Sequence, residues 1–225
     1  MGLNVSLSNI CVKYNKSDFV LSNICLKVKS GSSLALVGDS GCGKTTLLNV
    51  ICGLERPFKG SVFLGEKNIE HLKPDELDSL RCCELGFVFQ TFHLIPHLTV
   101  LQNIMIPGLI KGTDFSILNN KIHNLLDSLD LIHRKNSFPS DISGGEKQRA
   151  CIARSLVNEP KIILADEPTG NLDQKNTKKV IDLLLEKSTE NKVTLIVATH
   201  SMEIAKKMDK TMLLNFDGLE NFNSF

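Results

Sequence analysis

Short, uninterrupted apolar runs recur along the chain and predict strands that are buried on both faces. The five runs of this kind are Ser33–Val37, Leu85–Phe89, Lys161–Ala165, Val193–Ala198 and Thr211–Phe216. Between several of them the apolar residues recur with helical spacing instead, in Thr45–Leu54, Glu146–Asn158 and Asn176–Ser188. Strands that alternate with helices are typical of an α/β fold with a wound, mostly parallel sheet.

Two regions of the chain depart from this alternation. The N-terminal stretches Val5–Lys13 and Val20–Val28 have strand character, and Ser61–Leu64 is predicted to join them in an antiparallel layer. Residues 91–160 are predicted to form a helical lobe inserted between strands, although segment 92–108 is too irregular for a helix or strand assignment. No Gly/Ser-rich linker divides the chain, so residues 1–225 are predicted to form a single domain.

Composition and charge narrow the classes of function. The chain has 225 residues, with 26 Lys and Arg against 25 Asp and Glu and a net charge of +1. This balance argues against a nucleic-acid-binding protein, which normally carries a clear positive excess. The 7 cysteines are odd in number, and none has the C-x-x-C spacing of zinc or redox sites, so they are predicted to be reduced thiols in the cytosol.

The longest mainly apolar segment is Leu94–Ile110, and it is interrupted by prolines and polar residues. A membrane-spanning helix needs about 20 clean apolar residues. We therefore expect no membrane span in this chain, so any role at a membrane requires another chain to cross it.

One octet matches the pattern G-x-x-x-x-G-K-[ST] directly after a predicted strand and at the start of a predicted helix. Its residues are Gly38, Asp39, Ser40, Gly41, Cys42, Gly43, Lys44 and Thr45. Glycines let consecutive backbone N–H groups turn toward a phosphate, and a helix N-terminus adds partial positive charge. We expect Lys44 to reach the β- and γ-phosphates of a nucleotide and the Thr45 hydroxyl to ligate Mg²⁺.

Two carboxylates, Asp166 and Glu167, follow the apolar run Lys161–Ala165. An Asp at a strand end beside a phosphate site typically holds Mg²⁺. The next residue, expected to point the other way along the strand, is placed to polarise an attacking water. Because Pro168 follows, a plain strand-ending turn is the alternative, but the presence of the octet favours the catalytic interpretation.

A second serine-glycine turn, Ser143–Gly145, precedes another predicted helix and is a second candidate phosphate site. A capping box formed by Ser143 and Glu146 is the structural alternative. Both can hold together, because a cap and an anion use the same N–H groups. Two separate phosphate sites in one chain indicate that each could serve a nucleotide held by another copy.

The order of these motifs resembles the nucleotide-binding domain of ABC transporters over essentially the whole chain, which implies a P-loop NTPase fold of ABC type. The octet and Thr46 correspond to the Walker A nucleotide site, and Tyr14 corresponds to an aromatic residue that stacks on adenine. The other motifs correspond to the Q-loop residue Gln90, the signature Ser143, Gly144, Gly145 and Glu146, the Mg²⁺-holding Asp166, the catalytic Glu167, the D-loop Asn171, Leu172 and Asp173, and the switch residue His200. Mg²⁺ would lie between Thr45, Gln90 and Asp166. Two mild departures are Ile142 in place of a signature leucine and Cys42 in place of a common serine.

The resemblance implies that two copies sandwich two ATP molecules and power a separate permease, contacted through segment 92–108, at the cytoplasmic face of the inner membrane. Residues 165–173 and 89–99 resemble the branch of the family that includes lipoprotein-releasing systems, so lipoprotein release is the expected role. A cell-division ATPase and a peptide or drug exporter of the same branch remain alternatives.

Two alternatives come from other classes of protein. The tetrapeptide Asn15–Asp18 matches the guanine-reading motif N-K-x-D of GTPases, but it precedes the octet, whereas GTPases place it well after. A small-molecule kinase built on the same P-loop would not need the signature, D-loop and switch histidine together. Comparing the affinities for ATP and GTP, and looking for a phosphorylated product, distinguishes these alternatives.

Overall fold

The computed structural model describes residues 2–14, 19–170, 172 and 174–222. The D-loop residues Asn171 and Asp173 and the tetrapeptide Asn15–Asp18 therefore lie outside the described residues. Leu172, between the two D-loop residues, packs partly buried against the core.

The larger of two sheets has six strands, in the order β10-β9-β3-β8-β7-β6. Its strands are β3 (Ser33–Val37), β6 (Leu85–Val88), β7 (Ile162–Asp166), β8 (Thr194–Ala198), β9 (Lys210–Asn215) and β10 (Gly218–Asn221). All neighbours pair in parallel except β9 and β10. Every residue of β3, β7 and β8 is buried, which explains their continuous apolar runs. The five predicted strands are confirmed with small shifts at their ends, and β10 was not predicted.

A four-stranded antiparallel sheet forms a second layer, in the order β2-β1-β4-β5. Its strands are β1 (Val5–Lys13), β2 (Phe19–Val28), β4 (Lys59–Leu64) and β5 (Lys67–Asn68). Buried residues of β1, β2 and β4 share one apolar cluster with the first helix and with β3, β7 and β8. The predicted antiparallel layer is therefore present, and the octet Gly38–Thr45 lies where both sheets meet the first helix.

Seven α-helices are described. They are α1 (Lys44–Ile51), α2 (Pro74–Glu84), α3 (Val100–Ile110), α4 (Phe115–Ser128), α5 (Gly144–Leu156), α6 (Gln174–Asn191) and α7 (Met202–Ala205). The sequence prediction missed α2, although Pro74 at its first position and the acidic Asp75 and Glu76 in its first turn are helix-start signals. Among the residues that the structure describes, no helix combines the length and apolarity needed to cross a membrane.

Helices α3, α4 and α5 lie between β6 and β7 along the chain and share an apolar cluster of their own. Residues 100–108 of the irregular segment 92–108 lie in helix α3, and Thr99 caps this helix by accepting a hydrogen bond from Gln102 N–H. The fully buried Asn103 amide donates to the carbonyls of Ile95 and Leu98. This side chain satisfies backbone groups that the irregular turn before the helix leaves unpaired. The assignment of 1–225 to a single domain stays a prediction.

Candidate nucleotide site

The loop between β3 and α1 has the backbone that phosphate binding requires. Gly43, the residue before α1, has φ of 101°, and a side chain there would meet Leu21 at 2.8 Å. Only glycine fits both constraints. No side chain of the described residues caps the N-terminus of α1, so the N–H groups of its first turn remain available to a ligand.

The Lys44 ammonium is held at this loop. Its Nζ donates to the carbonyl oxygens of Gly38 at 2.8 Å and Asp39 at 2.9 Å, and it lies 4.0 Å from Glu167 Oε1. The residue is only 7% exposed. A buried ammonium that is fixed by loop carbonyls is oriented before any ligand arrives, which lowers the entropic cost of binding.

The Thr45 hydroxyl donates to Asp166 Oδ2 at 2.8 Å and so joins the first turn of α1 to the end of β7. The other oxygen of this carboxylate, Oδ1, is buried and accepts no hydrogen bond from the described residues. Burial raises the pKa of the Asp166 carboxyl above its ordinary value, and the neighbouring Glu167 carboxylate raises it further against the hydrogen bond from Thr45. A hydroxyl beside a buried, unsatisfied carboxylate oxygen is a donor set that suits Mg²⁺.

The carboxylate of Glu167 faces the same cavity as that of Asp166, so the expectation that the two point in opposite directions is wrong. Strand β7 ends at Asp166, and Glu167 has a left-handed φ of 42°. Strand alternation therefore stops before Glu167. Glu167 N–H donates to the Ala198 carbonyl at 2.9 Å, which anchors this turn to the end of β8.

The His200 side chain completes this group, with Nδ1 3.0 Å from Glu167 Oε2. His200 lies two residues after the end of β8, which places it at the same edge of the sheet as the end of β7. One carboxylate oxygen of Glu167 is thus in contact with His200, and the other lies near the Lys44 ammonium. The three side chains come from the start of α1 and from the turns that follow β7 and β8.

These side chains line one cavity of about 590 Å³, large enough for a nucleotide. Its lining residues are Tyr14, Val20, Ser40, Gly41, Gly43, Lys44, Thr45, Thr46, Gln90, Asp166, Glu167 and His200. The sequence analysis identified all of these lining residues except Val20, which belongs to none of the motifs. Gly38, Asp39 and Cys42 do not line the cavity, and Cys42 is 1% exposed, so only its backbone is available to a ligand.

Tyr14 lies at the edge of the cavity and is 57% exposed. Its hydroxyl is 3.3 Å from Thr46 Oγ1. One end of the side chain is thus fixed while much of its ring remains accessible, as stacking on a base requires.

The signature residues Ser143, Gly144, Gly145 and Glu146 do not line this cavity. Ser143 Oγ accepts from Glu146 N–H at 3.3 Å, and Glu146 Oε2 accepts from Ser143 N–H at 2.7 Å. The predicted capping box is therefore formed at the start of α5. Burial alone would raise the pKa of the Glu146 carboxyl, but hydrogen bonds from Ser143 and Arg134 lower it to about 2. Glu146 is thus ionised at neutral pH.

The fold and the site can be compared with those of known proteins. A family model described as ABC transporter matches residues 21–170. The lipoprotein-releasing system ATP-binding protein LolD of Saccharophagus degradans is 43% identical over 195 residues, which are 87% of this chain and 86% of that protein. LolD of Xanthomonas campestris is 41% identical over 196 residues, 87% of this chain and 82% of its own.

The chain belongs to the ABC transporter family. Among solved structures, the dimeric structure of the ABC transporter cassette MJ0796 is similar, with a TM-score of 0.89 and 34% identity over 98% of this chain and 100% of that one. A post-hydrolysis state of the same cassette, bound to ADP and Pi, gives a TM-score of 0.88. The predicted fold class and the prediction that the chain is an ATPase are confirmed.

The charge of Asp166 in this ABC cassette leads to a stability prediction. Because its pKa is raised in the folded chain, the stability it contributes is present below the unfolded pKa and is lost as pH rises through the folded pKa. We expect Asp166→Asn to raise the melting temperature of the nucleotide-free chain by about 2–4 °C near neutral pH. The gain should shrink as pH is lowered through the pKa of Asp166.

Thermal unfolding of the nucleotide-free protein at several pH values measures this effect. The exposed Asp217→Asn is the control for the loss of one negative charge and should leave the melting temperature unchanged. A lower melting temperature for Asp166→Asn at neutral pH would show that the ionised carboxylate stabilises the fold.

Proposed function

We propose that this chain hydrolyses ATP to power a separate membrane permease, and that the machine releases lipoproteins from the inner membrane. The observation that carries the ATPase role is the convergence of Lys44, Thr45, Asp166, Glu167 and His200 on one cavity. Support for lipoprotein release comes from relatives named lipoprotein-releasing system ATP-binding protein, at 41–43% identity over 87% of this chain. The chain would then work at the cytoplasmic face of that membrane.

The residue roles follow from the geometry of the cavity. The triphosphate would bind the N–H groups at the start of α1, with Lys44 on its β- and γ-phosphates. Mg²⁺ would be held by Thr45, Asp166 and Gln90, and it would supply positive charge against the phosphate oxygens. Glu167 would take the proton of the attacking water, and His200 would keep the Glu167 carboxylate in place through the 3.0 Å contact.

A second copy of the chain would complete each site. The start of α5 at Ser143 lies outside the cavity of its own chain, as expected if its N–H groups serve ATP on a partner. The cassette MJ0796 forms a dimer, which supports the same arrangement here.

This arrangement gives ATP a means of changing the conformation. A ligand shifts an equilibrium only by its differential affinity for the two states, and a shift from 1:99 to 99:1 takes about 5.5 kcal/mol. ATP that contacts Ser143–Gly145 only in the closed dimer supplies such a difference. Hydrolysis then removes these contacts and lets the pair reopen.

The permease would dock beside segment 92–108. A groove of about 500 Å³ opens there, between β6 and the helical lobe, and its lining includes Phe89, His93 and Pro107. Ile95, in the turn before α3, is 44% exposed although apolar. An apolar groove next to the Q-loop residue Gln90 could pass movement between the ATP site and the permease.

Purification of the tagged chain from its native membranes tests this role. We expect integral membrane permease subunits to co-purify with it, and the complex in proteoliposomes to release a lipid-anchored protein only when ATP is hydrolysed. The complex carrying Glu167→Gln serves as the matched control and should release none. Recovery of a cell-division assembly, or ATP-driven export of a soluble peptide, would contradict lipoprotein release and favour an alternative of the same branch.

A further inference from the structure

The start of α5 poses an electrostatic problem for a phosphate site. Glu146, in the first turn of the helix, is buried and ionised, with its pKa at about 2. A carboxylate there opposes the partial positive charge of the helix N-terminus. It would also repel a triphosphate that approaches Ser143 and Gly144, and this repulsion becomes stronger where the surroundings have a lower dielectric constant than water.

The side chain of Arg134 faces this carboxylate. Its Nε donates to Glu146 Oε1 at 2.8 Å, and His133 Nε2 lies 3.6 Å from the same oxygen. The second oxygen, Oε2, accepts from Ser143 N–H at 2.7 Å. Both oxygens of Glu146 are therefore engaged within the chain, so this residue is placed to shape the signature rather than to contact a nucleotide.

Backbone hydrogen bonds hold Arg134 in position. It ends the 3-10 turn Ile132–Arg134, its N–H donates to Leu131 O at 2.9 Å, and its carbonyl accepts from Ser137 N–H at 2.9 Å. The Arg134 side chain is 41% exposed, against 12% for Glu146. The guanidinium therefore covers the buried carboxylate from the solvent side.

We propose that Arg134 is a positioning residue for ATP-driven dimerisation, which acts by cancelling the charge of Glu146 and fixing the capping box of α5. This inference rests on the proposed binding of a partner's ATP at Ser143–Gly145. The proposal predicts that removal of Arg134 and removal of Glu146 have different effects on dimerisation. Removing the arginine leaves a carboxylate without its guanidinium partner beside the phosphate, whereas removing the carboxylate leaves a cation that attracts phosphate.

The test uses the Glu167→Gln chain as parent and adds Arg134→Gln, Glu146→Gln or both. The measurement is the ATP concentration that gives half-maximal dimer in sedimentation velocity with Mg²⁺. We expect Arg134→Gln to raise this concentration about tenfold or more, and Glu146→Gln to leave it unchanged or to lower it by no more than about twofold. The double variant should return to within about threefold of the parent.

Two further variants sharpen the comparison. Arg134→Lys keeps the charge and should stay within about threefold of the parent. Arg56→Gln removes one exposed arginine that lies outside the cavity lining and should have no effect. A purely structural ion pair would make Arg134→Gln and Glu146→Gln equally harmful, with matching losses of melting temperature.

Equal effects of the two single variants, or a tenfold deficit that persists when Arg134→Gln is added to Glu146→Gln, would overturn the role of Arg134. The second comparison remains decisive even if Arg134→Gln alone is too unstable to study. A parent that stays monomeric with saturating ATP would instead refute the nucleotide sandwich itself. The two failures are thereby distinguished.

Discussion

Replacement of Glu167 by glutamine should lower ATP hydrolysis by about 100-fold to 10,000-fold, the range for loss of a general base, while ATP binding persists. Glutamine keeps the shape of the side chain but cannot accept the proton of an attacking water. It also removes a negative charge from a cavity that would hold a triphosphate. We therefore expect an ATP-bound dimer that accumulates because it cannot reopen by hydrolysis.

Single-turnover hydrolysis and sedimentation velocity measure the two halves of this prediction. The control is Glu203→Gln, which removes an exposed carboxylate three residues after His200 and should leave both unchanged. If the Glu167→Gln chain remains monomeric with saturating ATP and Mg²⁺, the sandwich of two chains around ATP is wrong for this protein. If hydrolysis persists at the normal rate, another group takes the proton.

Lys44→Ala should abolish nucleotide binding in the range where the unchanged protein is saturated. The ammonium is already oriented by the carbonyls of Gly38 and Asp39, and it would exchange these partners for phosphate oxygens. Losing charge-assisted contacts of this kind costs about 3 kcal/mol or more, which corresponds to about a 100-fold weaker affinity. Glu167 would also lose the nearest cation to one of its oxygens.

Isothermal titration with ATP and Mg²⁺ provides the measurement. Lys210→Ala, at the exposed start of β9, is the control for loss of one lysine and should bind ATP normally. An affinity within about threefold of normal for Lys44→Ala would place the triphosphate away from the start of α1.

The positions of Lys44 and Glu167 explain why we expect one substitution to weaken ATP binding and the other to block hydrolysis. Lys44 is the first residue of α1, next to the loop that would bind the phosphates, whereas Glu167 lies after β7, against the end of β8. Loss of Lys44 therefore weakens binding, and loss of Glu167 blocks the chemical step. A comparison of ATP affinity with hydrolysis rate in both variants separates these effects.

Much of the fold was predictable because buried strands and helix starts are local features of the sequence. The run Ser33–Val37 predicted β3 with its observed bounds, since a strand covered on both faces needs apolar residues throughout. Helix α2 was missed because only Leu77 and Leu80 of its eleven residues are buried, which leaves a weak periodic signal. The strand order of the sheet was not predictable, because it depends on which faces pack together after folding.

The sequence by itself determined the loop that we propose to bind phosphate. Its glycines, lysine and threonine are contiguous, and their function depends on backbone torsions and a helix N-terminus that neighbouring residues control. Only the tertiary structure decided which distant groups meet that loop. Thr45 and Asp166 are 121 residues apart and in contact, Glu167 turns into the cavity through a left-handed φ, and Arg134 covers Glu146. Such contacts depend on how strands and helices pack, and no short stretch of sequence encodes that packing.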